Sequence, residues 1–316
     1  MAMNYRQLGN AGVRVSVIGL GTNQFGGKVD QKGVNDIVDR CLDLGINFID
    51  TADTYQSGRS EETLGEALNG RWDRFVLATK VYAKMGDGPN DRGTSRYHIM
   101  NGVEASLKRL GSDHIDLYQM HRWDDSTPIE ETLRALDDLV RSGKVRYIGA
   151  SAFASWQLAY SNLLAELKGW SSFVTVQSHY HMFERDVERE VLDYCAAHKV
   201  GFIPYFPLAG GFLTGKYKRD QPAPSGTRGE SSAYVQRYMK SNYYEVLEKL
   251  SDWAKDRDHN LTELAHAWLL ANPQVSSVIS GATNLDQVSQ NALAAEWIIG
   301  KNEKDEVDAI LDQKEE

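Results

Sequence analysis

Four side chains that can move protons follow three successive apolar runs of the sequence. Asp50 is the last residue of NFID, and Tyr55 follows that run. Lys80 follows FVLAT, and His121 follows IDLYQM. A carboxylate, a phenol, an ammonium and an imidazole in one pocket suit proton transfer to an oxygen on which charge develops. Each side chain alone also has a structural explanation, such as a turn cap, a strand end or a core histidine. Only the combination favours an enzyme.

Short β-branched runs alternate with longer helical patterns along the chain, which is typical of parallel βαβ units. Eight such runs predict an α/β fold that closes as a (β/α)8 TIM barrel. A barrel brings the carboxyl ends of its strands to one face, so the four side chains are expected to meet there. The eight runs are VIGLGT (17–22), NFIDTA (47–52), FVLATKV (75–81), IDLYQMH (115–121), VRYIGAS (145–151), FVTVQSH (173–179), GFIPYFPL (201–208) and VSSVISGA (275–282).

We expect one domain over residues 1–316. Two segments are added to its repeat of strands and helices. NYRQLG and VRVS, on either side of Asn10-Ala11-Gly12, predict an N-terminal β-hairpin. Residues 209–274 form a long loop and helix insertion between strands seven and eight, with helical patterns at 234–256 and 261–271. Such an insertion at the catalytic face often covers a site.

The helix after the fourth run has the clearest start signal in the sequence. Thr127 is predicted as its N-cap, Pro128 as its first residue, and Glu130 as the partner that completes a capping box.

Composition narrows the class of protein. With 35 Lys and Arg against 44 Asp and Glu, the net charge of −9 gives no basic footprint for nucleic acid or an acidic membrane. Cys41 and Cys195 lie in helical patterns, so no disulfide framework is expected. No targeting pattern and no apolar stretch of about 20 residues is present. We predict a cytoplasmic protein with neither a nucleic-acid nor a membrane partner; its oligomeric state cannot be read from the sequence.

The GLGT segment at 19–22 ends a predicted strand, as a dinucleotide-binding fingerprint would. That fingerprint needs a third glycine at the position that Gln24 holds here. A nucleotide is therefore expected to bind to a barrel rather than to a Rossmann fold.

Several long motifs resemble the aldo-keto reductases from about residue 4 to 300. The branch they resemble most includes bacterial sugar-aldehyde and aryl-aldehyde reductases and potassium-channel β-subunits. The resemblance implies a nicotinamide cofactor across the carboxyl face of the barrel and reversible reduction of an aldehyde or ketone, a small-molecule substrate. The motifs are GLGT, NFIDTADTYQSGRSEETLGEAL, LATK, IDLYQMH, PIEETLRALDDLVRSGKVRYIGAS, YFPLAGGFLTGKY and SGATNLDQVSQNALA.

Within this resemblance, Tyr55 matches the proton donor of the family. A free phenol has a pKa of about 10, and the Lys80 ammonium is predicted to lower it by about two units. Asp50 would hold Lys80 in place, and His121 would orient the carbonyl oxygen beside Tyr55.

The resemblance also implies a cofactor site. Ser151 and Gln177 match positions that bond the nicotinamide carboxamide, and Tyr205 matches the aromatic on which the nicotinamide ring stacks. Many relatives have Asn after that serine, whereas this chain has Ala152. Further positions assigned to the cofactor are Gly21, Thr22, Asp50, Pro207, Leu208, Gly210, Gly281, Thr283, Gln287 and Asn291.

Cofactor choice depends on the adenosine 2′-phosphate. Some relatives place Lys, Ser and Arg where this chain has Gly281, Ala282 and Gln287. Lys216 and Arg228 are therefore predicted to supply the positive charge, and NADPH is predicted in preference to NADH.

Three aromatic side chains, Tyr82, Trp123 and Trp156, are predicted to border the substrate pocket together with the 214–233 loop. Such a wall suits aryl aldehydes and the C–H faces of sugars equally.

Two other functions stay open. His179 and His181 form an H-x-H segment, which some metal-dependent barrel hydrolases use, but no companion carboxylate is evident and no metal is predicted. A non-catalytic, redox-sensing subunit that binds NADP(H) is the other alternative.

Overall fold

The computed structural model describes residues 3–313, and its centre is a closed barrel of eight parallel strands. All eight predicted runs are strands of this barrel, in the order β10, β3, β4, β5, β6, β7, β8, β9. The predicted hairpin is formed by the antiparallel pair β1 and β2. The strands are β1 Tyr5–Gln7, β2 Arg14–Ser16, β3 Ile18–Gly21, β4 Phe48–Asp50, β5 Val76–Val81, β6 Ile115–Met120, β7 Val145–Ser151, β8 Phe173–His179, β9 Gly201–Tyr205 and β10 Val278–Gly281.

Helices cover the outside of the barrel and give its strands a second apolar neighbour. Every residue of β5 and of β6 is buried, as expected for parallel strands that are covered on both faces. The helices are α1 Gln31–Asp43, α2 Arg59–Leu68, α3 Arg96–Leu110, α4 Ile129–Arg141, α5 Ser155–Lys168, α6 Val191–His198, α7 Arg228–Ser231, α8 Ala233–Gln236, α9 Ser241–Lys255, α10 Leu261–Leu270, α11 Leu285–Leu293 and α12 Lys301–Asp312.

The barrel interior changes from apolar to polar along its axis. Leu8 and Val15 of the hairpin segment are fully buried and belong to one apolar cluster with the strand residues Phe48, Leu117 and Ile203. The hairpin therefore closes the end of the barrel where the strands begin. Polar side chains are left for the other end, where the candidate site lies.

The predicted start of α4 is wrong in detail. The helix begins at Ile129, Pro128 is its cap residue, and no side chain caps it. The Thr127 hydroxyl instead donates a hydrogen bond to the Asp124 carboxylate over 2.9 Å. Thr127 and Glu130 therefore form no capping box.

The insertion between β9 and β10 contains more interruptions of its helices than its sequence pattern predicts. A 3-10 segment, Ala209–Thr214, precedes the short helices α7 and α8. The helix predicted over 234–256 is interrupted before α9, because Lys240 is extended, with φ of −126° and ψ of 156°. The insertion also reaches the loop after β3, where the Lys28 ammonium donates to the Gly226 carbonyl over 3.0 Å.

Among residues 3–313 no helix has both the length and the apolar character needed to cross a membrane. Both cysteines are free and buried.

Candidate active site

The four predicted catalytic side chains meet at the carboxyl end of the barrel. Asp50 is the last residue of β4, Lys80 is the penultimate residue of β5, and His121 follows β6 directly. Tyr55 opens a 3-10 turn, Tyr55–Gly58, between β4 and α2. The Lys80 ammonium lies 2.5 Å from Asp50 Oδ2 and 3.4 Å from the Tyr55 hydroxyl.

The turn that follows Tyr55 has an unusual backbone conformation. The next three residues all have positive φ: 49° at Gln56, 57° at Ser57 and 95° at Gly58. A side chain on Gly58 would also meet Arg109 at 2.9 Å. The sequence pattern alone does not reveal this run of left-handed residues.

Lys80 and Asp50 form a fully hydrogen-bonded ion pair inside the barrel. Lys80 also donates to the Thr51 carbonyl over 2.8 Å. The second Asp50 oxygen accepts from Gln119 over 3.1 Å and from Gln177 over 2.8 Å. Sequence reasoning missed Gln119, although it points into the barrel from β6, a strand that was identified. The pair is thus held rigidly, as a buried ion pair must be to persist.

The predicted lowering of the Tyr55 pKa is wrong for this structure. Burial raises the pKa of the phenol most strongly, and the nearby Lys80 ammonium opposes this only in part. Asp50 adds a further upward contribution because its negative charge offsets that of Lys80. The net result is a pKa above the ordinary value, so Tyr55 holds its proton at neutral pH.

His121 lies beside this phenol and is uncharged. The two rings meet edge to face, with centroids 6.1 Å apart. Burial, reinforced by the charge of Lys80, lowers the pKa of His121 to about 3. A neutral imidazole can donate a hydrogen bond to a carbonyl oxygen, but it has no acidic proton to give at neutral pH.

The predicted nicotinamide residues lie on neighbouring strands. Ser151 and Gln177 are register partners at the ends of β7 and β8. Ser151 is buried, yet its hydroxyl makes no hydrogen bond to any residue of the described chain. Tyr205 ends β9, and His179 stacks on one of its faces at 5.3 Å and 6°. A flat ligand can therefore use only the other face of Tyr205.

Ala152 follows Ser151 in a left-handed conformation, with φ of 55°. Its N–H donates to the Gln177 carbonyl over 2.8 Å, which keeps this turn closed. Asparagine tolerates such a φ better than alanine does.

The predicted floor of the site is close to Asp50. Gly21 pairs in register with Asp50 on one side and with Gly281 on the other. Thr22 is fully buried, and its hydroxyl donates to the Asp50 carbonyl over 3.0 Å. Pro207, Leu208 and Gly210 belong to the segment after β9, where Gly210 has φ of 68°.

A polar cradle forms where β10 leads into α11. Asn284 caps α11, and Gln287 accepts a hydrogen bond from the Thr283 N–H over 2.8 Å. Asn291 is 5% exposed, and its side chain bonds to no other residue within 3–313. A side-chain amide that bonds to no other described residue is available to a base or ribose group.

Lys216 and Arg228 are the two predicted phosphate contacts. Both are exposed, and neither forms an ion pair with a carboxylate of the described residues. The Arg228 guanidinium lies 5.6 Å from the Phe206 ring centroid, next to Tyr205. Together with Ser151 and Asn291, these free polar groups fit a dinucleotide that carries phosphate.

Two of the three aromatic side chains predicted for the substrate pocket, Trp123 and Trp156, contact each other. Trp123 packs edge to face against Trp156, with ring centroids 5.6 Å apart, and against Phe153, with centroids 5.2 Å apart. Phe153 lies two residues beyond β7, is 3% exposed and belongs to the hydrophobic core. Tyr82 is half-buried just after β5.

The H-x-H segment does have a companion carboxylate, which the sequence reading missed. Ligand atoms of His179, His181 and Glu184 lie within 4.8 Å of one another. However, the Tyr234 hydroxyl bonds both imidazoles, at 2.6 and 2.9 Å, and Arg237 pairs with Glu184. These contacts attach the insertion to the end of β8.

Comparisons with known proteins agree with this geometry. The aldo/keto reductase family model matches residues 17–312. The chain is 40% identical to "Uncharacterized oxidoreductase YrpG" of Bacillus subtilis, over 95% of this chain and 93% of that protein. It is 39% identical to a "Probable voltage-gated potassium channel subunit beta" of Arabidopsis thaliana, over 94% and 92%. It is 32% identical to the "Versiconal hemiacetal acetate reductase" of Aspergillus parasiticus, over 91% of each chain.

Proposed function

Because this chain belongs to the aldo/keto reductase family and is an NAD(P)H-dependent oxidoreductase, we propose that it reduces an aldehyde or ketone with Tyr55 as the acid. The observation that carries the proposal is the contact of Tyr55 with a buried, hydrogen-bonded Lys80–Asp50 pair. A phenol in this position can give its proton to the oxygen of a bound carbonyl.

The reduced nicotinamide, when bound, supplies the hydride that goes to the carbonyl carbon. Negative charge then develops on the carbonyl oxygen, and Tyr55 donates its proton there. Lys80 stabilises the phenolate that remains, and Asp50 keeps Lys80 charged and in position. His121, neutral near pH 7, donates a hydrogen bond that holds the carbonyl oxygen beside the phenol.

We further propose NADPH as the preferred cofactor. Lys216 and Arg228 support this preference because each is a cation with no carboxylate partner in the described chain. The contacting pair Trp123 and Trp156 favours a substrate with an aryl ring or a sugar C–H face. Free, buried cysteines support a cytoplasmic location. The single closed barrel supports one domain over residues 1–316.

A second candidate is a regulatory NADP(H)-binding subunit, which the similarity to a protein named as a potassium-channel subunit favours. A metal-dependent hydrolase is less well supported, because Arg237 already neutralises Glu184. The test is a panel of aryl aldehydes, ketones and aldose sugars with NADPH or NADH, followed by loss of nicotinamide absorbance. Cofactor binding without turnover of any carbonyl would favour the regulatory subunit over the enzyme.

A further inference from the structure

Asp53 is a buried acid beside the catalytic pair that the proposed reaction does not use. It is 1% exposed, and neither of its side-chain oxygens has a well-formed hydrogen bond to another described residue. Its backbone N–H donates to the Lys80 carbonyl over 3.2 Å. The backbone of this buried, ionisable residue is therefore bonded directly to the strand that carries the catalytic lysine.

Charged and titratable groups face Asp53 from each neighbouring element. Glu61 on α2 and Arg109 on α3 form an ion pair, with Arg109 Nε 2.7 Å from the Glu61 carboxylate. Tyr118 on β6 is fully buried, and no described residue bonds its hydroxyl. Lys80 on β5 and Tyr55 complete the surroundings.

The charges in this region are balanced only when Asp53 is protonated. Lys80 is matched by Asp50, and Arg109 is matched by Glu61. Ionised Asp53 adds a negative charge that no further cation of the described residues matches. Burial, reinforced by Glu61, raises the pKa of Asp53 to about 7, against smaller opposing effects of Arg109, the Thr54 amide and Lys80.

We propose that Asp53 is a positioning residue of the reductase site, whose gain and loss of a proton changes how readily Tyr55 gives up its own proton. The inference rests on the proposed function, since it assigns Tyr55 as the acid. Ionised Asp53 raises the pKa of Tyr55, because a second negative charge disfavours the phenolate. The proton affinity of Tyr55 therefore depends on whether Asp53 is ionised.

The test is the pH profile of kcat for carbonyl reduction by wild-type protein and Asp53→Asn. The wild-type profile is expected to contain an inflection near pH 7 that the variant lacks. The basic limb of the variant, where Tyr55 loses its proton, should move to lower pH by about half a unit or more. Asp116→Asn is the matched control, because Asp116 is a buried acid at the start of β6, paired with Arg146.

Two readouts do not depend on turnover. Infrared difference spectra of the wild-type protein should contain a carboxylic acid band that disappears near pH 7 and is absent from Asp53→Asn. Thermal stability should differ too. Because the pKa of Asp53 is higher in the folded than in the unfolded protein, the folded state binds more protons than the unfolded state between about pH 4 and 7. The folded protein therefore loses stability as the pH rises through this range. Asp53→Asn should therefore have a higher melting temperature than wild type at pH 8, and the difference in melting temperature should be smaller at pH 5.

A profile of Asp53→Asn that matches wild type, or that is lowered equally at every pH, would overturn the inference. If Asp53→Asn does not fold, Glu61→Gln tests the same idea. It removes a like charge and leaves Arg109 free, so the inflection and the infrared band should move to lower pH; no movement would overturn it. If no carbonyl is reduced at all, the proposed function fails, whereas the infrared titration still decides whether Asp53 ionises near neutrality.

Discussion

Lys80 contacts Tyr55 in two ways: its ammonium nitrogen lies 3.4 Å from the phenol oxygen and 5.0 Å from the ring centroid. The ammonium is thus placed to stabilise charge on that oxygen while it remains bonded to Asp50. Since burial keeps Tyr55 protonated, this contact matters most at the moment when the proton leaves.

Tyr55→Phe should abolish most carbonyl reduction while the fold and cofactor binding stay nearly unchanged. Phenylalanine keeps the ring but removes the proton, and general acid catalysis contributes about 10²–10⁴-fold to rate. We expect kcat to fall at least about a hundredfold. Tyr244→Phe is the control, since Tyr244 is a buried tyrosine on α9. A Tyr55→Phe protein that turns over within a few-fold of wild type would refute the assignment.

Lys80→Met should move the basic limb of the kcat profile to higher pH as well as lower the rate. The ammonium is the main group that opposes the rise in the Tyr55 pKa, so its removal raises that pKa further. The direction is opposite to that expected for Asp53→Asn. Asp50 loses its buried partner, so a drop in melting temperature is also expected, and circular dichroism must establish that the variant is folded. An unmoved basic limb would contradict the proposed role of Lys80.

Replacing Lys216 and Arg228 together by Ala should weaken NADPH binding and leave NADH binding nearly unchanged. A hydrogen bond to a charged group contributes about 1.5–3 kcal/mol, so at least about a tenfold rise in the Kd of NADPH is expected. Fluorescence titration measures both cofactors. Lys218→Ala is the matched control, because it removes an exposed lysine from the same loop. Equal weakening for both cofactors would argue against contacts to the 2′-phosphate.

Ala152→Asn should raise stability by up to about 1 kcal/mol, because asparagine tolerates the left-handed φ of 55° better than alanine does. Its amide is also expected to add a nicotinamide contact, so the Kd of the cofactor should fall. Differential scanning calorimetry and cofactor titration test the two effects. Ala197→Asn, at an exposed position of α6, is a control that should gain neither. A loss of stability at Ala152 would mean that the turn does not have this conformation.

The barrel could be predicted from the sequence because its strands are short, apolar and regularly spaced. β5 and β6 are buried along their whole length, so their sequences contain little besides core residues and the polar groups at their ends. The end of each strand then places Lys80 and His121 at the same face. Topology alone brings these side chains together once the number of strands is known.

Features that depend on long-range contacts could not be predicted. The helix pattern over 234–256 is interrupted near Tyr238, whose hydroxyl bonds Glu184 of a distant loop over 3.2 Å. Thr127 does not cap α4, because its hydroxyl donates a hydrogen bond to Asp124 instead. Similarly, the pKa of Tyr55 depends on how far burial outweighs Lys80, a balance of distances that the order of residues does not contain.

The two cysteines have a consequence for the durability of such an enzyme. Aldehydes are electrophiles that thiolates attack, so a reductase is exposed to damage by the compounds it consumes. Cys41 and Cys195 are at most 1% exposed, and burial raises the pKa of each thiol to about 12. Each therefore stays a shielded, protonated thiol at physiological pH, the unreactive form. The protein should keep its activity in the presence of reactive carbonyls and of thiol-directed alkylating agents, which inactivate enzymes with accessible cysteines.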